Sequence, residues 1–355
     1  MAPITEAPAT PASRVAVIVV NYRTPQHALA CLDALASARA TNPDLSAILV
    51  DGGSGDGSAE QLEAGLAARG HPSWIALLAL PVNGGFGYAN NQALLRLAEA
   101  ASPPDYVCLL NPDAKPLSGA LDHLTSLLDA HPRAAAAGAQ LQGADGKPQG
   151  SAFTFPSIRQ EFSRGANTDL IRRLLRCPPT VITASRPARA PWVTGAAVMV
   201  RMTALDEVGL FDDGFFLYFE EVELMHRLTA AGWEIWHEPD ARVEHIGGTA
   251  TDIRWDEDGF HKPMPLPAYW YHSRRRCLVR IGSTGHAVLA TASFVLGRLI
   301  WLARCAVGRR TDRFPSRTSR DTIRHSLWPS RADRLATGLP QLRDAPGQAP
   351  RWMQR

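Results

Sequence analysis

The chain has 355 residues, of which 45% are hydrophobic and 20% charged, so it is neither disordered throughout nor collagen-like, and its length allows one large domain or two modest ones. The formal net charge of +3 conceals an asymmetry, because residues 298–355 hold 13 Arg, 4 Asp and no Lys or Glu. This tail carries +9 and leaves −6 on residues 1–297, a difference that concerns binding partners rather than fold.

The five cysteines are odd in number and lack CxxC spacing, which favours a reducing compartment over a disulfide framework or a zinc cluster. Residues 1–13 are rich in Ala, Pro and Thr and lack the apolar segment of a secretion signal. We therefore expect a flexible N-terminus.

Strand and helix signals alternate through the first 140 residues. Apolar, β-branched runs predict strands over residues 15–21, 46–51, 74–80, 106–110 and 134–140. Helices are predicted over residues 24–37, 58–68, 87–101 and 118–131, the first two beginning with Thr24 and Ser58 as N-caps. Such alternation predicts an α/β fold with a doubly wound sheet.

The second half is patterned less evenly. Residues 146–191, rich in Arg and Pro, are interpreted as a variable insertion. A strand is predicted over residues 192–202, a helix over 219–231, short strands over 234–237 and 242–245, and a helix over 267–281 that ends in an arginine cluster. We expect residues 266–310 to form a helical extension and residues 311–355 a basic, disordered tail.

An uncharged stretch of 17 residues lies between Arg280 and Arg298. After Ile281 it continues with five small or polar residues, and Arg298 and Arg304 interrupt the apolar run that follows. A spanning helix needs about 20 mainly apolar residues. The pattern therefore favours an interfacial helix, or a helix packed on the domain, over a membrane span.

Polar residues follow four of the predicted strands. They are Asn21 and Tyr22, Asp51 to Ser54, Asn83 to Phe86, and Asn111 to Asp113. Because ligands bind at the carboxyl ends of strands in open α/β sheets, these residues predict one binding rim, although each alone could be a surface turn.

Common nucleotide and hydrolase motifs are absent. The glycine-rich segments fail GxGxxG at Ser58 and Asn90, Asp56 breaks a GxSxG elbow, and no GxxxxGK[ST] loop occurs. Asp113 with the neighbouring Asn111 could hold a hard cation if a diphosphate supplied further ligands, or could simply enter a turn.

Glu221 falls on the apolar side of the predicted helix 219–231, between Leu217 and Leu224. A carboxylate facing inward loses solvation, so its pKa should rise, which suits a general base. The alternative is that Glu220 and Glu221 favourably occupy a helix first turn. His245 is expected to be functional only if its strand returns to the rim that carries Asp113.

Seven strings in order resemble the family 2 glycosyltransferases with the GT-A fold, and the bacterial rhamnosyltransferase-like branch in particular. They are VVNY (19–22), VDGGSGDGS (50–58), NGGFGYANN (83–91), LLNPD (109–113), VTGAAVMVR (193–201), GLFDDGFFLYFEEVELMHRLTAAGW (209–233) and VEHIGGT (243–249). The resemblance implies a catalytic domain over residues 14–265, with a nucleotide-binding half over about 14–140 and an acceptor half over about 190–265.

The resemblance also implies roles. Asp51 would contact the nucleotide base, and the pocket would be lined by Asn21, Tyr22, Ser54, Asn83, Gly84, Gly85, Phe86, Asn90, Asn91 and Asn111. Asp113 and His245 would hold Mg²⁺ or Mn²⁺ on the diphosphate. Glu220 and Glu221 fall on the family's Glu-Asp pair, whose second member is the usual base. Trp192, Thr194 and Gly195 would lie on the acceptor side.

Two departures concern the base and the donor. Glu221 replaces the commoner Asp at the position of the catalytic base. Asn90 replaces an arginine that contacts the nucleotide base in related enzymes. We therefore expect an inverting transfer of a sugar, L-rhamnose from dTDP-rhamnose or another sugar from UDP or GDP, to a hydroxyl of a cell-surface glycan or lipid-linked acceptor. A sugar nucleotidyltransferase and a non-catalytic nucleotide-sugar binder remain alternatives.

The basic extension offers two interpretations. It could lie on an anionic membrane surface beside a lipid-linked acceptor, or form a solvated tail. No recognition motif supports binding of nucleic acid. We expect a cytoplasmic protein, with the first interpretation placing it peripherally at the inner face of the plasma membrane.

Overall fold

The computed structural model describes residues 13–248, 265–308, 311–312, 314–330, 333, 339–350 and 353. The predicted flexible N-terminus up to residue 12, the end of the predicted catalytic domain (249–264) and parts of the predicted tail lie outside these residues.

The described residues contain strands and helices in alternation. The strands are β1 Val15–Asn21, β2 Ser46–Asp51, β3 Ile75–Ala79, β4 Tyr106–Leu110, β5 Ala114–Pro116, β6 Ala134–Gln142, β7 Ala152–Phe153, β8 Val181–Ile182, β9 Ala188–Arg189, β10 Trp192–Val193, β11 Ala197–Arg201 and β12 Glu234–His245. The helices are α1 Pro25–Arg39, α2 Ser58–Ala68, α3 Phe86–Ala98, α4 Ala120–Ala130, α5 Ile158–Ala166, α6 Asp169–Leu174, α7 Met202–Val208, α8 Glu220–Ala230, α9 Ala268–Ile281, α10 Thr284–Gly308 and α11 Thr318–Ser326.

The main sheet is mixed and has the order β3-β2-β1-β4-β11-β6-β12-β5, with β9 paired to β12. Strands β3, β2, β1 and β4 are parallel, β11 is antiparallel to both of its neighbours, and β12 is parallel to β6. A small antiparallel sheet, β10-β7-β8, lies beside it. The expected doubly wound α/β sheet is confirmed.

Helices cover both faces of this sheet. Leucines of α1, α2 and α4 pack with alternate residues of β1, β2 and β4 in one core, and residues of α3, α7 and α8 pack on the opposite face in a second. The apolar runs of β1, β2 and β4 are buried on both sides, as parallel strands between helix layers must be.

Several element predictions need correction. Residues 234–245 form one strand with an irregular register around Pro239, not two strands, because both halves continue along β6. The predicted strand 192–202 is broken into β10 and β11, which join different sheets. Ser58 does not cap α2: Gly57 is the N-cap residue at φ 87°, and the Ser58 hydroxyl donates to Asp56 Oδ1 at 2.6 Å.

The segment interpreted as a variable insertion, residues 146–191, contains β7, α5, α6, β8 and β9. Helix α5 packs closely along α10, and the two cross where Gly165 approaches the Phe294 carbonyl and Gly297 approaches that of Phe162. Side chains at these glycines would overlap the facing backbone, so the crossing depends on both.

Helix α10 is the one helix in the described ranges whose length and hydropathy would permit a membrane crossing, and 39% of its most apolar window is buried in the protein. Helices α5, α9 and α11 all contact it. Helix α10 thus packs on the rest of the protein, as one of the two alternatives for this segment predicted.

The arginine cluster of α9 is not a free basic surface. Arg274 pairs with Glu161, Arg275 with Asp333 and Arg276 with Asp212. Arg298 of α10 likewise pairs with Asp312. Part of the predicted tail is ordered as α11, because it packs on α9 and α10, so the expectation of a disordered basic tail fails for this helix.

Candidate active site

Three rim residues form one hydrogen-bonded group at the carboxyl ends of β1 and β2. Asn21 Nδ2 and Ser54 Oγ donate to Asp51 Oδ1 at 2.9 and 2.7 Å, and Ser54 N donates to Asp51 Oδ2 at 3.0 Å. All three residues are buried. Asp51 therefore fixes the turn after β2, and its contact with a nucleotide base stays a prediction.

Tyr22 lies at the same edge and is half-buried. The guanidinium of Arg23, whose backbone has a positive φ of 57°, lies 5.0 Å from the Tyr22 ring centroid and donates to the Ser54 carbonyl at 3.2 Å. Arg23 was not among the predicted site residues. Its place directly after two rim residues was the available signal, and it supplies a cation beside the predicted nucleotide pocket.

The loop before α3 is tied to the loop before α8. Gly85 N donates to Asn83 Oδ1 at 3.1 Å, and Phe86 N donates to the Phe216 carbonyl at 3.2 Å. Gly84 packs against the ring of Tyr88. The predicted donor loop, Asn83 to Phe86, is therefore held in register with the segment that leads to Glu220 and Glu221.

We predict that Gly85→Ala weakens donor binding at least tenfold. Gly85 has φ 92°, and an added Cβ would overlap the Phe216 carbonyl oxygen, so the two loops would have to separate. Calorimetric titration with nucleoside diphosphate checks this, with Gly146→Ala as a control, because that glycine also has a positive φ of 76° but opens to empty space. Equal affinities of the two variants would contradict the prediction.

Asn90 and Asn91 occupy different surroundings on α3. Asn91 is 2% exposed, and its amide pairs at both ends with the Phe211 backbone, at 2.9 and 3.0 Å. It therefore joins α3 to the 211–219 loop, and the place in the nucleotide pocket that the resemblance implied for it stays a prediction. Asn90 is fully buried, donates to the Phe86 carbonyl, and has no partner for Oδ1 within the described ranges.

Asp113, His245 and Asn111 meet at one place. Strand β5 pairs antiparallel with the end of β12, in a register that sets His245 opposite Ala114. His245 Nε2 lies 3.4 Å from Asp113 Oδ1 and 3.3 Å from Asn111 Nδ2, and Gly247 N donates to Asp113 Oδ2 at 3.0 Å. The condition set for His245 is met, since its strand does return to the rim with Asp113.

Glu220 and Glu221 both lie in the first turn of α8, so the first-turn alternative describes their position correctly. Leu217 precedes the helix, so of the two leucines expected on either side of Glu221 only Leu224 lies on α8. Glu220 is buried and Glu221 half-buried. The backbone N–H groups at this helix end lower the pKa of Glu221, but burial has the larger effect and raises it to about 6. Burial together with the Glu221 charge raises the pKa of Glu220 well above its usual range.

Each of these carboxyl groups leaves an oxygen, Oε2, shielded from solvent and without a hydrogen-bond partner among the described residues. The chain reaches this turn through two consecutive left-handed residues, Tyr218 at φ 69° and Phe219 at φ 70°. Such backbone strain occurs where surrounding structure fixes a functional geometry.

The acceptor-side residues frame Glu221. A Cβ at Gly195 would lie 3.5 Å from the Phe86 ring and 3.7 Å from Glu221 Cβ, so these three residues meet at one point. Thr194 Oγ1 accepts from Ala196 N at 3.3 Å. Trp192 donates to the Thr154 carbonyl and stacks on Phe153 with ring centroids 4.4 Å apart, which places it in the small sheet.

A buried network of charged residues joins α8 and the loop before it to α9, and the sequence pattern did not predict it. Arg276 binds Asp212 with contacts as short as 2.8 Å, Arg280 lies 3.5 Å from Asp212 and 3.4 Å from Glu223, and Arg227 pairs with Glu223. The network fixes both ends of the 212–223 segment against α9. Only the i,i+4 pair Glu223–Arg227 could be read from sequence spacing.

Comparisons with known proteins identify the family of this chain. Residues 16–209 match the model "Glycosyl transferase family 2". The N-acetylglucosaminyl-diphospho-decaprenol L-rhamnosyltransferases of two Mycobacterium tuberculosis strains, CDC 1551 / Oshkosh and H37Rv, are each 33% identical over an alignment of 242 residues. The match covers 64% of this chain and 75% of theirs.

A solved mannosyltransferase from Pyrobaculum calidifontis, in complex with GDP-Man and Mn²⁺, shares the fold. The match has a TM-score of 0.51 at 16% identity and covers 84% of this chain and 76% of that one. From the extent of the family match and the identity to the mycobacterial enzymes, the chain belongs to glycosyl transferase family 2 and is a rhamnosyltransferase-like glycosyltransferase.

Proposed function

We propose that this enzyme transfers L-rhamnose from dTDP-rhamnose to a sugar hydroxyl of a lipid-linked acceptor, with inversion at the anomeric carbon. The donor sugar and the acceptor class follow those of the mycobacterial relatives, which are N-acetylglucosaminyl-diphospho-decaprenol L-rhamnosyltransferases. The observation that carries the proposal is the meeting of Glu221 with Phe86 of the donor loop and Gly195 of the acceptor side.

Glu221 is the proposed base. It accepts the proton of the acceptor hydroxyl while that oxygen attacks the anomeric carbon and the bond to the nucleoside diphosphate breaks. A single displacement of this kind inverts the carbon, and the departing diphosphate needs no second carboxylate as acid, unlike the leaving group of a glycosidase. Burial and the Glu221 charge raise the pKa of Glu220 well above its usual range, which favours the neutral form of Glu220 beside the base.

Asp113 and His245 are the residues that would hold a divalent cation. One carboxylate and one imidazole suit Mn²⁺, and Mg²⁺ is commonly held by a single carboxylate together with substrate phosphates. No cluster of three His, Cys, Asp or Glu occurs in the part of the chain described, so the donor would supply further ligands. Bound there, the ion would neutralise charge on the diphosphate.

A donor panel tests the proposal. The full chain is incubated with a short-chain GlcNAc-diphospho-lipid and with dTDP-rhamnose, UDP-sugars or GDP-sugars, and nucleotide release is measured with and without Mg²⁺ or Mn²⁺. Release of dTDP in proportion to glycosylated lipid supports the proposal. Preference for a UDP- or GDP-sugar would replace the donor, which Asn90 leaves open because the family's arginine is missing there.

We predict that the transfer rate rises with pH through about 6 and then levels off. Glu221 must be ionised to accept a proton, and its pKa of about 6 means that about a tenth of the molecules are active at pH 5. Initial rates at saturating donor between pH 5 and 8, with donor affinity measured in the same buffers, check this. A rate that is level across this range contradicts the assignment of the base.

A lipid-linked acceptor would place the enzyme at the cytoplasmic face of the plasma membrane, where nucleotide sugars are available. We propose that it is a peripheral protein there. Arg274 and Arg276 of α9 and Arg298 of α10 do not supply the membrane contact, because they are engaged in internal ion pairs.

A further inference from the structure

One face of α10 is apolar and exposed along most of the helix. Leu289, Leu296 and Leu299 are 54–57% exposed and Val307 is 90% exposed. With two exposed alanines they follow one another at spacings of three and four residues, which sets them in a single line. We call this line the α10 stripe; its members are Leu289, Ala292, Leu296, Leu299, Ala303 and Val307. It is about 27 Å long at 1.5 Å per residue.

The opposite face of α10 is fixed to the protein. Ala287, Phe294, Trp301 and Cys305 are buried there, and α5 crosses at Gly297. Its polar groups are also engaged: Arg298 binds Asp312 at 2.6 Å, and Thr291 Oγ1 accepts from Arg274 at 3.0 Å. Leaving the protein to span a bilayer would break these bonds, so the helix can offer only its stripe.

The exposed charged side chains of α10 and of the helix packed on it are basic. Helix α10 contains no Asp or Glu, Arg304 is exposed near its end, and Arg309 and Arg310 follow in the sequence. Helix α11, which packs on α10, exposes Arg320 and Arg324. A two-fold contact with a second copy would bring these like charges together, whereas an anionic bilayer attracts them.

We propose that the α10 stripe is the surface by which the enzyme docks on an anionic lipid bilayer, with α10 lying in the plane of the interface. An apolar helix face enters the boundary between headgroups and acyl chains, and nearby arginines add attraction to anionic lipid. The inference deepens the proposed function only in naming where a lipid-linked acceptor would be met; the docking itself requires neither donor nor acceptor.

Vesicle flotation of the full chain tests the docking. We expect it to float with vesicles of phosphatidylcholine mixed with phosphatidylglycerol, less with phosphatidylcholine alone, and less at high salt. The double variant Leu296→Asp and Leu299→Asp should lower the bound fraction about tenfold or more. Leu170→Asp is the matched control, because Leu170 is 74% exposed and belongs to α6, not to α10.

The contrary outcomes are distinct. Flotation of the double variant equal to that of the natural chain, or an equal loss in the Leu170 control, overturns the assignment of the stripe. A dimer in lipid-free solution that the double variant splits, measured by light scattering, overturns it in favour of a second copy. If the aspartates lower the unfolding temperature, Leu296→Ser with Leu299→Ser replaces them in the same test.

Transfer to a water-soluble, short-chain acceptor separates this inference from the proposed function. The double variant should release dTDP at the natural rate in that assay and more slowly with a long-chain acceptor embedded in vesicles. If the natural chain floats but transfers no rhamnose, the proposed function fails and the docking surface stands; if it transfers without floating, the reverse holds.

Discussion

Glu221→Gln is expected to lower the transfer rate by about 10²–10⁴-fold while leaving donor affinity nearly unchanged. The substitution keeps the size of the side chain and removes the group that accepts the acceptor's proton. Single-turnover transfer, with titration of nucleoside diphosphate beside it, measures the two effects separately.

Glu220→Gln is the matched control for this experiment. Because burial already favours the neutral form of Glu220, the amide should preserve its environment, and we expect a loss of less than about tenfold. A larger loss in Glu220→Gln than in Glu221→Gln would exchange their roles. Unfolding temperatures of both variants should stay close to that of the natural chain.

Asp113→Ala is expected to lower transfer by at least about 10²-fold and to remove any dependence of donor affinity on Mg²⁺ or Mn²⁺. Asp113 supplies the carboxylate beside His245 and also accepts the Gly247 N–H, so both the cation site and the turn after β12 lose a partner. Titration of donor at a series of metal concentrations measures the coupling between the two ligands.

His245→Ala serves as the graded comparison. It leaves the Asp113 carboxylate in place and removes one nitrogen, so we expect weaker metal dependence and a smaller loss of rate than in Asp113→Ala. An Asp113→Ala enzyme with the natural rate and metal response would contradict the assigned site.

The pH profile and the Glu221 variant test the acceptor side of the site. The Asp113 variant and the metal titration test the donor side. Glu221 lies at the start of α8 beside Gly195, and Asp113 lies where β5 meets β12. The donor diphosphate would be held on one side and the acceptor hydroxyl on the other, which is the arrangement that a single displacement requires.

Local sequence determined the elements of the first half and their order. Runs such as VAVIVVN and YVCLL can be buried on both faces only in a sheet covered by helices, and parallel strands set their carboxyl ends at one edge. The polar residues after β1, β2 and β4 could therefore be assigned to one rim in advance. The motif strings, which depend on residue type and order, indicated the family.

Tertiary structure alone decided which charges are free. Glu161 and Arg274 pair across 113 positions and Asp212 and Arg276 across 64, and no local pattern announces either pair. Arg274 and Arg276, which the sequence suggested as part of a basic surface, are buried and paired with carboxylates, because a buried charge needs a partner. The α9 arginines, which lie outside the +9 tail, therefore add little to the basic surface that the protein presents. The apolar side of α10 stays exposed because α5 packs on the other side.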